Sequence, residues 1–154
     1  IALRSMGTPQ AASHVYRNPA LGSTPQPDFL NAAVLLTTSS SPGEIRGQLR
    51  RIEHTLGRRR TLDKYAPRTI VLDLCLLGIL ALENEEMVLP DPDLLTRPYL
   101  AVPMAELGPH FTHPEIMKDL AAIATDLAPH HDLELLPDFS IRFMKAFLDD
   151  KHHS

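Results

Sequence analysis

Residues 70–77 read Ile-Val-Leu-Asp-Leu-Cys-Leu-Leu, an almost continuous apolar run with a single charge, Asp73. A run this short and this apolar predicts a strand buried on both faces, and therefore a sheet with helices covering it. A carboxylate in that setting is costly unless it is paired or holds a metal. Residues 57–69, directly ahead of the run, carry four arginines and a lysine. Between positions 50 and 68 the chain places seven of its fifteen basic residues, although its formal net charge is −4. Cations crowded beside a strand carboxylate fit the handling of a polyanion together with a metal. Guanidinium groups neutralise phosphate oxygens, and the carboxylate places Mg²⁺.

The bulk of the chain suits that reading. Its 154 residues, 44% of them hydrophobic, are enough for one globular domain with a core of its own, spanning residues 1–154. Charged residues at 22% and a net negative balance do not suit a general nucleic-acid binder, and Tyr65 is the one aromatic inside the basic patch. The single cysteine, Cys75, excludes an internal disulfide. It is expected as a small buried apolar side chain in a reducing, cytoplasmic setting. No apolar run approaches the roughly 20 residues that cross a bilayer, and no signal-peptide pattern is present. The eight histidines match no zinc-binding spacing.

Local signals place the remaining elements. Residues 1–6 resemble the end of a helix that residues 7–9, Gly-Thr-Pro, would stop. Residues 13–17 read as a short strand, 22–28 as a proline-rich extended connection, and 29–38 as another strand. Ser41-Pro42-Gly43-Glu44 combines an N-cap serine, proline at N1 and glutamate at N3. Ile45, Leu49, Ile52 and Leu56 then recur at helical spacing until Gly57. Residues 83–86 form an acidic turn before a strand at 87–89, 90–93 a loop, and 99–103 a short strand or turn. Thr112-His113-Pro114-Glu115 repeats the capping signature and predicts a helix reaching about Leu127. Phe139, Phe143 and Phe147 predict a last amphipathic helix within a C-terminal extension over residues 138–154. The mixture is α+β, with an antiparallel or mixed sheet carrying helices.

Seven segments in order carry a family resemblance: Tyr16-Arg17-Asn18-Pro19-Ala20-Leu21-Gly22, the run 26–34, Ile52-Glu53, Gly57-Arg58-Arg59-Arg60, Ala66-Pro67-Arg68-Thr69-Ile70, Leu89-Pro90 and Arg97-Pro98-Tyr99. Singly each is unspecific; collinear over roughly residues 15–109 they resemble 6-hydroxymethyl-7,8-dihydropterin pyrophosphokinase. The resemblance implies a ferredoxin-like α/β sandwich with a mainly antiparallel sheet. It also implies transfer of pyrophosphate from ATP to the pterin alcohol in folate biosynthesis, with Mg²⁺. Asn18, Ala20, Leu21, Phe29, Asn31 and Tyr99 would hold the pterin, by amide hydrogen bonds and by sandwiching its flat ring. Glu53, Arg60, Asp91, Asp93 and Arg97 fall at ATP positions. Arg58 and Arg68 would clamp phosphates as guanidinium forks, and Asp73 would hold the metal. The loop over residues 58–67 would close over the reactants. Partners would be ATP and pterin, with no nucleic acid and no membrane, in a monomer or as part of a folate-pathway fusion.

The chain departs from the family pattern at three places. The pattern carries two aspartates separated by one residue, which alternation along a strand would aim at one metal site. Here the first position is Val71 and only Asp73 remains. The family histidine after Leu-Pro is Asp91. The opening strand and its Gly-Ser-Asn loop would lie ahead of Ile1, and without that strand a sheet edge is expected to be unpaired. The alternative is a non-catalytic member that binds nucleotide or pterin, or an interaction domain.

Overall fold

In the computed structural model, which describes residues 6–18, 29–57, 70–130 and 132–149, two extended runs lie antiparallel over most of their length. β1 (Thr8–Ala12) pairs with β4 (Val34–Thr37), and β2 (Tyr16–Asn18) with β3 (Phe29–Asn31). Between the pairs Ala12↔Val34 and Tyr16↔Asn31 one run advances four residues and the other three, so the ladder is broken by an irregularity. Ser13 fills the break. Its amide donates to Ala33 O (2.9 Å), its hydroxyl accepts from Ala33 N–H (2.8 Å), and it is 1% exposed. The strand expected over 29–38 is thus two strands, and the one expected over 13–17 is displaced to either side of Ser13. Thr8 and Pro9 belong to β1 instead of a helix stop. A Cβ at Gly7 would lie 2.2 Å from Thr37 O, so only glycine lets the two backbones approach there.

α1 (Pro42–Thr55) follows its local signals closely. Ser41 Oγ accepts from Glu44 N–H (3.3 Å) and donates to Glu44 Oε1 (2.9 Å). Gly57, at φ 98°, takes the left-handed position just past the last turn. Ile45, Leu49 and Ile52 bury one face of α1 with Met6, against Leu36 of β4 and Leu72, Leu74 and Leu77.

Residues 70–77 form no strand among the described residues. A strand exists only where a neighbour pairs its backbone, and this segment is anchored otherwise. Leu72 N–H donates to Glu53 Oε2 (3.1 Å), and Cys75 O accepts from Asp91 N–H (2.9 Å). Leu72 and Leu74 pack against the α1 core, whereas Val71 and Asp73 are exposed.

β5 (Leu82–Glu83) and β6 (Val88–Leu89) form a small hairpin, and Asn84 Oδ1 accepts from the amides of Glu86 and Met87 in its turn. The 3-10 turn Pro92–Leu95 leads into α2 (Pro98–Leu107), which packs on α3 (Leu120–Leu127) around Leu94, Ala101, Leu120 and Ile123. Residues 99–103 are therefore helical, not a strand. Pro98 at N1 starts the helix, and burial of Ala101 with Leu120 and Ile123 of α3 overrides the local β preference. The helix expected from Thr112 begins only at Leu120. His113 Nδ1 takes the Glu115 amide (3.2 Å) in place of a threonine cap, and Met117 turns left-handed at φ 54°.

β7 (Glu134–Leu135) adds to β2, and α4 (Pro137–Asp149) packs on β1. Ser140, 1% exposed, accepts from Val15 N–H (2.7 Å) and donates to Leu136 O (2.8 Å). The Phe143 and Phe147 rings stack at 6.4 Å, as the expected apolar stripe requires, but Phe139 is exposed beneath the Arg142 guanidinium. The whole is a mixed α+β fold with antiparallel pairing throughout its described strands. No described helix is long and apolar enough to cross a membrane.

Candidate active site

A cleft of about 240 Å³ opens between α1, residues 72–74 and residues 86–92. Arg46 and Arg50, four residues apart and hence on one face of α1, form one wall. Asp73, Glu86 and Asp91 line the same cleft, with Leu49, Leu72, Leu74, Met87, Val88 and Pro92 supplying apolar surface. Two guanidinium groups and three carboxylates thus border one small volume, and Arg50 lies 3.8 Å from Asp73 Oδ1.

Glu53 holds this geometry together. It sits in the last turns of α1 and is 2% exposed. Besides the Leu72 amide, it takes a charge-assisted bond from Arg50, whose guanidinium also reaches Leu72 O (3.4 Å) and lies 3.8 Å from Asp73 Oδ1. A buried carboxylate is tolerable when paired and hydrogen-bonded in this way. Asp91 is fixed by its amide bond to Cys75 O, and its Oδ1 caps the following 3-10 turn by accepting from Asp93 N–H (2.9 Å). Burial raises the Asp91 carboxyl above the ordinary range, the Asp93 amide bond opposes that, and the charges of Asp93 and Asp73 add to it. Burial first, then the charges of Asp91, Asp73 and Asp93, push the Cys75 thiol up to about 12. Cys75 therefore stays protonated, and it is partly rather than fully buried.

A second set of expected site residues lies beside α2. Tyr16, Asn18, Phe29 and Asn31 are register partners or two residues apart in the β2–β3 ladder, which puts them on one side of it. That side meets α2, because the Tyr16 hydroxyl donates to Glu106 of the helix. The Asn31 side-chain amide nitrogen is buried with no hydrogen-bond partner among the described residues, leaving a donor free. Tyr99 stands in the first turn of α2, partly buried, and its hydroxyl is held protonated above the usual range by burial and then by Asp93. Arg97 is the N-cap residue of α2, its amide donating to Asp93 O (2.7 Å).

Among the residues expected from the sequence, then, Asp73 and Asp91 share the cleft and Glu53 lies beneath it. Asp93 and Arg97 follow in the next turn, and Asn18, Phe29, Asn31 and Tyr99 belong to the ladder and α2. Ala20, Leu21, Arg58, Arg60 and Arg68 lie outside the described residues, as do the closing loop, the proline-rich connection and the helix end ahead of Met6. Arg46, Arg50 and Glu86 line the cleft without having been assigned to it from sequence. The signal available for the arginines was their spacing of four on a capped helix.

Fold and cleft together define an α+β protein with an arginine- and carboxylate-lined pocket, and with aromatic and amide side chains gathered on the β2–β3 ladder and the first turn of α2. The chain belongs to the 7,8-dihydro-6-hydroxymethylpterin-pyrophosphokinase (HPPK) family, whose model matches residues 2–109. It is 40% identical over 111 residues to the 2-amino-4-hydroxy-6-hydroxymethyldihydropteridine pyrophosphokinase of Synechocystis, covering 72% of this chain and 56% of that protein. It is 31% identical over 125 residues to the enzyme of that name from Haemophilus influenzae, covering 81% of this chain and 77% of the relative. It is also 30% identical over 142 residues to a folic acid synthesis protein of Pneumocystis carinii, 87% of this chain but 19% of that much longer protein. The chain spans about 56% of the Synechocystis relative's length.

Proposed function

We propose that this chain transfers pyrophosphate from ATP to 6-hydroxymethyl-7,8-dihydropterin, giving AMP and the pterin diphosphate in folate biosynthesis. The observation that carries the reading is the family match over residues 2–109, which includes both the arginine–carboxylate cleft and the β2–β3 ladder with α2. In the reaction the pterin hydroxymethyl oxygen bonds to the β-phosphorus, the bond from that phosphorus to the α-phosphate bridging oxygen breaks, and the hydroxyl proton leaves to solvent. There is little covalent chemistry for the protein to do. Its contribution is positioning and charge neutralisation.

Roles follow from residue chemistry. Arg46 and Arg50 offer guanidinium groups to a triphosphate in the cleft, and Arg58, Arg60 and Arg68, outside the described residues, would clamp its phosphates. Glu53 acts through Arg50 and Leu72. Asp91, Asp93 and Arg97 border the nucleotide, while Asn18, Ala20, Leu21, Phe29, Asn31 and Tyr99 take the pterin, the free Asn31 amide donor meeting an acceptor on its ring edge.

Mg²⁺ fits this donor set. Asp73 and Asp91 put carboxylate oxygens into one cleft, and magnesium is ordinarily held by one or two carboxylates with substrate phosphates as the remaining ligands. No group of three potential ligands occurs among the described residues, and substrate phosphate oxygens would complete the coordination. When bound, the ion supplies neutralisation of phosphate charge. A cytoplasmic setting belongs to the same reading. Similarity to the much longer Pneumocystis protein supports a role within a folate-pathway assembly or fusion. A coupled assay for Mg²⁺-dependent AMP release tests the activity. Release that requires the pterin is expected; ATP turnover indifferent to the pterin, or none at all, refutes it.

A further inference from the structure

Glu106 makes a contact that the cleft does not account for. Its carboxylate accepts from the Tyr16 hydroxyl, from His14 N–H (2.9 Å) and at the His14 ring Nδ1 (2.8 Å). These contacts span 90 and 92 residues of sequence, from the last turn of α2 to the arm carrying β2. Tyr99 stands seven residues before Glu106, two helical turns away, so both project from the same face of α2 about 10 Å apart along its axis. Tyr16 pairs directly with Asn31, and Asn18 with Phe29. The Glu106–Tyr16–His14 contact therefore brings the face of α2 that carries Tyr99 against the side of the ladder that carries Asn31.

A single carboxylate with three protein partners is a stiff strut, since each bond restricts the other two. Glu106 is 25% exposed, and its partner His14 46%, so water competes incompletely for these oxygens. Burial, followed by the hydrogen bond and charge of Glu106, raises the Tyr16 hydroxyl above its usual range, so it remains a donor. A flat heteroaromatic ring between Phe29 and Tyr99 needs a fixed wall-to-wall distance, because ring stacking is lost when the gap widens by even a fraction of an ångström.

We propose that Glu106 is a positioning residue for the pterin: by tying the Tyr16 arm to the last turn of α2, it sets the spacing between the ladder that carries Asn31 and the helix that carries Tyr99. The proposal rests on the pterin reading above and adds the residue that sets its geometry.

Binding of 6-hydroxymethyl-7,8-dihydropterin in the presence of a non-hydrolysable ATP analogue, and of the analogue alone, tests it by calorimetry. Tyr16→Phe keeps the ring and removes only the donor; Glu106→Gln keeps the shape and loses acceptor capacity. Each is expected to raise the pterin Kd by about tenfold, the scale of one hydrogen bond to a charged group, while the analogue Kd stays within about twofold. The double variant should be no weaker than the worse single one, since both act through one contact. Glu106→Asp, with the charge kept but the reach shortened, should fall between wild type and Glu106→Gln. An unchanged pterin Kd in both folded single variants overturns the proposal. So does a parallel loss of pterin and analogue affinity that tracks a fall in melting temperature, because that is what a merely structural tie would produce. If the wild-type chain binds the analogue but not the pterin, the functional reading fails and the positioning role with it.

Discussion

Replacing Glu53 by alanine removes the acceptor that docks residues 70–77 onto α1. The Leu72 N–H, bonded to Glu53 Oε2 at 3.1 Å in a site where the carboxylate is 2% exposed, is left without its partner. A hydrogen bond to a charged group contributes about 1.5–3 kcal/mol. Breaking a buried ion pair costs about 3–5 kcal/mol when the surviving charge is stranded. Arg50, however, is 44% exposed and can turn to water, so most of the second figure does not apply. A net destabilisation of about 2–3 kcal/mol results, and at roughly 2–4 °C per kcal/mol for a chain of this size the melting temperature falls by about 4–12 °C. Glu53→Gln, which retains an oxygen for the Leu72 amide, should lose less than half as much. Scanning calorimetry gives the shift, and amide hydrogen exchange at Leu72 locates it. A Glu53→Ala shift below about 1 °C with unchanged protection at Leu72 would refute the reasoning, since the carboxylate would then not be what docks the segment.

The Asp91 carboxyl should show in pH profiles. Burial raises the Asp91 carboxyl, so the native state favours its protonated form, and the ionised form is a penalty at neutral pH that is relieved as pH falls through the raised value. Asp91→Asn, which can still cap the Asp93 amide, should melt higher than wild type at pH 7, with the difference closing toward pH 3; a constant difference would contradict this. Val71→Asp adds a carboxylate two residues from Asp73 at a site 48% exposed, so melting should change by no more than about 0.5 kcal/mol. Mn²⁺ binding in the presence of ATP should tighten severalfold, and unchanged Mn²⁺ affinity by calorimetry would show that position 71 does not face the metal. Ser140→Ala leaves the buried Val15 amide without its 2.7 Å acceptor, at a cost of about 1–3 kcal/mol measured by urea denaturation. A loss below about 0.5 kcal/mol would mean that water replaces the hydroxyl.

Elements announced by local chemistry were readable in advance. Ser41, Pro42 and Glu44 start α1, Gly57 ends it, and the spacing of Ile45, Leu49 and Ile52 identifies its buried face. The same holds for α4 and its Phe143–Phe147 pair. Readings failed where a local signal competed with distant packing. Tyr99 and Val102 favour a strand, yet the stretch is helical because its burial against α3 decides. Thr112 to Glu115 spells a cap, yet the His113 ring takes the Glu115 amide first. The run 70–77 has a strand's composition but no ladder among the described residues, and composition supplies no pairing partner.

The site divides along the same line. The order of the arginine loop, Asp73, Leu89-Pro90 and Arg97-Pro98-Tyr99 was enough to suggest the family, because motif order is a property of the chain itself. Sequence also determined the helix caps and apolar stripes, whose causes act within about four residues. Only the tertiary structure decided that Glu53 is buried beneath the cleft, that Arg50 reaches across 22 residues to Leu72, and that Glu106 reaches across 90 to Tyr16. Those contacts depend on where packed elements bring distant side chains. No spacing along the chain encodes that meeting, because it results from burying the two cores together.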